Sequence, residues 1–92
     1  MTTQQTAFIE LIARARRGDT DALGTMLDRY RAYLKVLALR QLDGRLGGRL
    51  DESDLVQQTC LLVHREIQQF EGDEEPQFLA WLRKIHENSI RN

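Results

Sequence analysis

Cys60 and His64 stand four residues apart, a spacing that stacks two metal ligands, or a thiol and its base, on one helix face. Two ligands are too few for a structural zinc, and His86 is the only other histidine. Cys60 also falls beside Val56, Thr59 and Val63 on the apolar side of its stretch, where cysteine acts as a small buried hydrophobe. The run DGRLGGRL, residues 43–50, invites a phosphate cradle, yet neither GxGxxG nor a P-loop pattern occurs and no strand precedes it. Asp73, Glu74 and Glu75 form an acidic turn with no base among them, which reads as solvated. Arg14, Arg16 and Arg17 precede Gly18 at a helix end, where cations favour the dipole, so capping and solubility account for them better than a phosphate site. No catalytic constellation emerges, and neither enzymatic activity nor a metal or cofactor is expected.

What remains is recognition, and it centres on residues 51–70, DESDLVQQTCLLVHREIQQF. At about 100° per residue this stretch has two unlike faces. Val56, Thr59, Cys60, Val63, Ile67 and Phe70 share one, with Leu55 and Leu62 at its margin. The other carries Asp54, Gln57, Gln58, Arg65 and Gln68, with Leu61 in their midst. A polar stripe with an apolar residue at its centre reads as a contact surface.

The elements that position this stretch all read as helices. Ninety-two residues, 41% of them hydrophobic, give one small domain with a modest core, and no apolar run is long enough for a membrane span. A lone cysteine excludes an intrachain disulfide and fits a cytoplasmic setting. Charge is uneven: nine Lys/Arg stand against five Asp/Glu in residues 1–49, and four against nine in residues 50–92. The expected architecture is all-α, a compact four-helix domain with helices near 6–17, 20–42, 51–70 and 76–91. Thr6 is the expected cap of the first, Asp19–Asp21 cap the second, Asp51 or Ser53 the third, and Pro76 opens the fourth. Val36–Leu42 is apolar on nearly all sides, so it should be buried from several directions or covered by a partner. The pattern runs to Asn92 without a stop signal, as expected of a piece of a longer protein.

Read together, Asp54-Leu55-Val56-Gln57-Gln58-Thr59, then Phe70-Glu71-Gly72, then Phe78, Trp81-Leu82, Ile85 and Asn88 resemble a known pattern. It is region 2 of bacterial RNA polymerase sigma factors of the extracytoplasmic-function type. Leu27-Asp28-Arg29-Tyr30 and Leu37-Ala38-Leu39-Arg40 resemble that family's upstream segment, so the likeness covers about residues 7–92. The resemblance implies a factor that binds core RNA polymerase and recognises and melts the promoter −10 element. It assigns Asp54, Gln57, Gln58, Leu61, His64 and Arg65 to the clamp helices of the largest catalytic subunit. It assigns Phe70, Gly72, Phe78, Ile85 and Asn88 to capture of a flipped base of the non-template strand. Arg83, Lys84 and Arg91 would hold the phosphate backbone, with Arg45 and Arg49 adding to them. An anti-sigma factor is a further partner such a protein admits. Such factors also carry a helix-turn-helix domain that reads the −35 element, for which this sequence has no counterpart. Departures include Gln58 for a usual Glu, Cys60 for Phe, His64 for Trp and Arg83 for an aromatic. The acids at 73–75 oppose DNA phosphates. The competing class is a helical interaction adaptor without DNA function.

Overall fold

Four runs of helical signal fold into five α-helices, because the second run breaks at Tyr30. In the computed structural model, residues 2–42 and 51–91 are described, with the backbone alone for Leu42, Ile90 and Arg91. The elements are α1 (Thr3–Arg16), α2 (Thr20–Arg29), α3 (Arg31–Leu42), α4 (Glu52–Glu66), a 3-10 turn (Ile67–Gln69) and α5 (Glu75–Arg91). The class is all-α, with no strand among the described residues. The glycine-rich run at 43–50, with Arg45 and Arg49, lies outside them.

The starts of α1, α2 and α4 and the end of α1 have local causes. The cap of α1 is Thr2, four residues before the expected Thr6, because Thr2 and Gln5 form a capping box, Thr2 Oγ1 accepting from Gln5 N and Gln5 Oε1 from Thr2 N. Thr6 sits inside the helix, its hydroxyl donating to the Thr2 carbonyl. α1 ends where Gly18 takes a φ of 98°, with Gly18 N bonded to Ala15 O and Asp19 N to Arg14 O. This paired arrangement needs a left-handed residue after the cap, and glycine supplies it without strain. Asp19 then caps α2 through Ala22 N. That bond and the Arg14 guanidinium hold its carboxyl below the usual value. Asp51 and Asp54 make a second capping box at the start of α4.

Tyr30 breaks the expected 20–42 helix without a proline or glycine. Its backbone leaves helical geometry at φ −105°, ψ 14°, while its N–H still bonds Met26 O and its carbonyl still accepts from Leu34. The bend turns the ring inward onto Phe78, 5.5 Å between centroids, and brings the hydroxyl to the Glu75 carboxylate. Burial, reinforced by that carboxylate, raises the Tyr30 pKa above the usual phenol value. A contact 45 residues away in sequence thus sets the break.

The core is shared by all the helices. Phe8, Ile12, Leu23, Met26, Leu34, Val63, Phe78 and Leu82 are each at most 2% exposed. Val36 and Leu39 do not join them: at 47% and 48% exposure they stay on the outer face of α3. Between α4 and α5, Thr59 and His86 form a buried polar contact, Oγ1 to Nδ1 at 3.2 Å. Burial lowers the His86 pKa below its ordinary 6.5, with Leu37 and Glu87 acting the other way. The unfolded chain therefore takes up this proton at a higher pH than the folded one. The contribution of the neutral ring is complete above about pH 6.5 and is lost as pH falls. Thermal melts should show Tm declining from neutral pH towards pH 5, with a shallower decline in His86→Gln. Equal declines in the two proteins would remove His86 as the cause.

Candidate functional site

α4 presents the stripe. Leu55, Val56, Thr59, Val63 and Ile67 face the core, all buried. Asp54, Gln57, Gln58, Leu61, His64 and Arg65 are all exposed, as the helical wheel requires. Leu61 is 64% exposed, the most exposed large hydrophobic residue among those described. Beside the stripe, a groove of about 510 Å³ runs between α3 and α4, lined by Arg31, Lys35, Glu52, Ser53, Gln57 and Cys60. Lys35 Nζ reaches Glu52 Oε1 at 3.5 Å, which leaves Oε2 buried without a partner. The surface therefore combines a protruding apolar knob, amide side chains that donate and accept, and an adjoining depression. Asp54 differs from the others, since its carboxylate also completes the capping box.

The residues assigned to base capture divide between inside and outside. Phe78 is fully buried, and Phe70 and Ile85 are 4% and 6% exposed. Phe78 meets Phe8, Tyr30, Phe70 and Trp81 with centroids 5.5 to 6.0 Å apart. These three side chains are core residues as the protein stands, and a base cannot stack on them without the core opening. The exposed face of α5 carries Arg83, Lys84 and Asn88. Arg83 Nε is engaged with Glu87 at 3.1 Å, an exposed i, i+4 pair of small energetic value. Arg91 lies at the end of α5, and its side chain is outside the described set. Trp81 packs against Phe70 at 5.3 Å and is partly buried.

Two further residues shape the loop between Phe70 and Glu75. Gln77 turns back so that its Oε1 accepts from Asp73 N at 3.1 Å and Glu74 N at 3.2 Å, satisfying donors that α5 cannot pair within itself. Its position three residues after Glu74 is a capping spacing visible in the sequence. Gly72 permits this closure: a Cβ there would lie 2.8 Å from Gln77 Oε1 and 2.9 Å from the end of the Phe70 ring. The second residue is Arg16, whose guanidinium lies over the Phe70 ring at 5.1 Å. Its Nε and Nη2 are buried without partners. A buried unsatisfied donor costs about 1–3 kcal/mol, more when charged. On the helical wheel Arg16 falls beside Ile12 while Arg14 and Arg17 point away, a signal the arginine cluster obscured.

Cys60 is half-buried, and burial pushes its thiol above the usual range, so it is poorly suited to act as a thiolate. Its would-be partner His64 points to solvent. No group of three or more His, Cys, Asp or Glu among the described residues is placed to hold a metal ion. No helix described is long and apolar enough to cross a membrane.

The family described as "Helix-turn-helix domain" matches residues 9–71, from within α1 to just past the 3-10 turn. The chain belongs to that family. It is also similar to the ECF RNA polymerase sigma-E factor of Haemophilus influenzae, at 30% identity over 82 residues. That match takes in 89% of this chain and 40% of the relative, so the chain spans about two-fifths of that protein's length. No solved structure matches the chain.

The packing at Gly72 makes a direct prediction. Gly72→Ala must displace Gln77 or the Phe70 ring, and should lose about 1–3 kcal/mol in urea unfolding, the range for overpacking. A loss below about 0.5 kcal/mol, the range of ordinary surface changes, would show that the closure is slack.

Proposed function

We propose that this chain is the domain of a sigma factor that binds core RNA polymerase and engages the non-template strand of the promoter −10 element. The observation that carries this reading is the exposed α4 stripe centred on Leu61, on a helical domain similar to a sigma factor. On this reading the stripe docks on the clamp helices of the polymerase. Leu61 would bury its side chain there, while Gln57 and Gln58 fix register by hydrogen bonds and His64 and Arg65 border the contact. Lys84 and Asn88, with Arg83 and Arg91, would meet the strand along α5, and the loop at Gly72 would lie against a base. Capture of that base draws on Trp81 and the loop rather than on the buried Phe78 and Ile85.

A second reading, a helical adaptor without DNA function, is favoured by two observations. Phe70, Phe78 and Ile85 are buried, and Glu71, Asp73, Glu74 and Glu75 place like charge where phosphates would approach. Strand binding is what separates the two.

In a pull-down with a clamp-helix fragment, Leu61→Asp should weaken capture by about tenfold or more, the loss expected of an interface anchor. Gln57→Ala should weaken it less, and Lys84→Ala not at all. Asp54→Ala is a poor probe because losing a capping side chain costs about 1 kcal/mol of stability by itself. Undiminished capture by Leu61→Asp would refute the docking assignment. For DNA, binding to a single-stranded −10 oligonucleotide should weaken steeply with salt, and Lys84→Ala should flatten that dependence by about 0.7 in the logarithmic slope. Absence of salt-dependent binding would favour the adaptor.

A further inference from the structure

Two arginines in the last turn of α1 meet opposite fates. Arg14 uses its Nε and Nη2 edge on Asp19 Oδ2, both at 2.9 Å. Arg16 carries the same edge inward over Phe70, where neither nitrogen has a partner or meaningful access to water. No acidic side chain pairs with it among the described residues. Such an edge presents two parallel N–H donors that fit a phosphate or carboxylate in bidentate fashion.

The position of that edge narrows its use. Phe70 is where the chain leaves the 3-10 turn for the loop, and its ring lies against both Trp81 and the space beside Gly72. The unpaired edge therefore stands behind the segment assigned above to the strand. We propose that Arg16 binds a backbone phosphate of the single strand held at this loop, with the Phe70–Gly72 segment shifting to uncover it. The proposal rests on the strand-binding reading. Arg16 would also bring positive charge to Phe70, the residue that leads into the acidic turn of Glu71, Asp73 and Glu74. A partner protein's carboxylate would fit the same edge. The phosphate is favoured because the neighbouring Trp81 offers a face for base stacking, for which a carboxylate has no use.

The test uses the whole chain, a mixed-sequence single-stranded oligonucleotide and salt from about 50 to 200 mM. Arg16→Met should bind more weakly and with a logarithmic salt slope shallower by about 0.7, the loss of one phosphate contact. Arg16→Lys should recover the slope but not the full affinity, since it keeps the charge and loses the fork. In the wild type, the Arg16 Nε–H resonance should shift when the oligonucleotide is added. A wild-type slope in Arg16→Met overturns the proposal, as does an Nε–H signal that moves only with a clamp-helix fragment. If Arg16→Met fails to fold, the wild-type Nε–H response decides. If the wild type does not bind the oligonucleotide, the strand-binding reading itself falls. Binding with an unmoved Nε–H sinks the Arg16 role alone.

Discussion

Everything in this fold meets at the ring of Phe78. It is completely buried, and the rings around it come from α1 through Phe8, the α2–α3 junction through Tyr30, the segment after α4 through Phe70, and α5 through Trp81. Buried aromatic side chains each remove roughly 150–250 Å² from water, and their tilted and edge-on contacts add specific geometry to that burial. A domain this small has few other places to anchor five helices. The break at Tyr30 is the visible cost: the chain leaves helical geometry there, and the ring packs on Phe78 while its hydroxyl reaches Glu75.

With the aromatic centre committed inward, recognition is left to what the helices turn outward. α4 offers Leu61 flanked by amides, α5 offers Arg83, Lys84 and Asn88, and the loop between Phe70 and Glu75 is closed by Gln77. The two helical surfaces have different chemistry. The α4 stripe pairs an apolar knob with hydrogen-bonding groups, as a protein interface does. The α5 face is small and mixed in charge, since Glu87 is tied to Arg83. The fold thus gives a clearer account of a protein contact than of a nucleic-acid contact.

Which parts were legible in the sequence follows from the range of the forces involved. The α4 stripe could be read because periodicity is local and Leu61 violates it, and the all-α class followed from the same signal. The start of α1 was also written locally, in the Thr2–Gln5 spacing, but the similar hydroxyl of Thr6 stood in competition with it. The Tyr30 break was not legible, because its cause lies 45 residues away and no helix breaker marks it. Phe70, Phe78 and Ile85 were assigned to a base pocket by family likeness, whereas burial depends on three-dimensional neighbours that no motif records. Arg16 is the reverse case, with buried guanidinium nitrogens within a charged run. Grouped with two solvent-facing arginines it read as capping, although its place beside Ile12 already pointed inward.

Docking of the outer face of α4 on the polymerase, as proposed above, is open to direct measurement. Backbone amide chemical-shift mapping, as a clamp-helix fragment is titrated into the domain, tests it most directly. The largest changes should follow α4 from Asp54 to Arg65 and the neighbouring groove at Arg31 and Lys35, with α1 unaffected. Changes concentrated on α1 and α2, or no changes at saturating fragment, would contradict it.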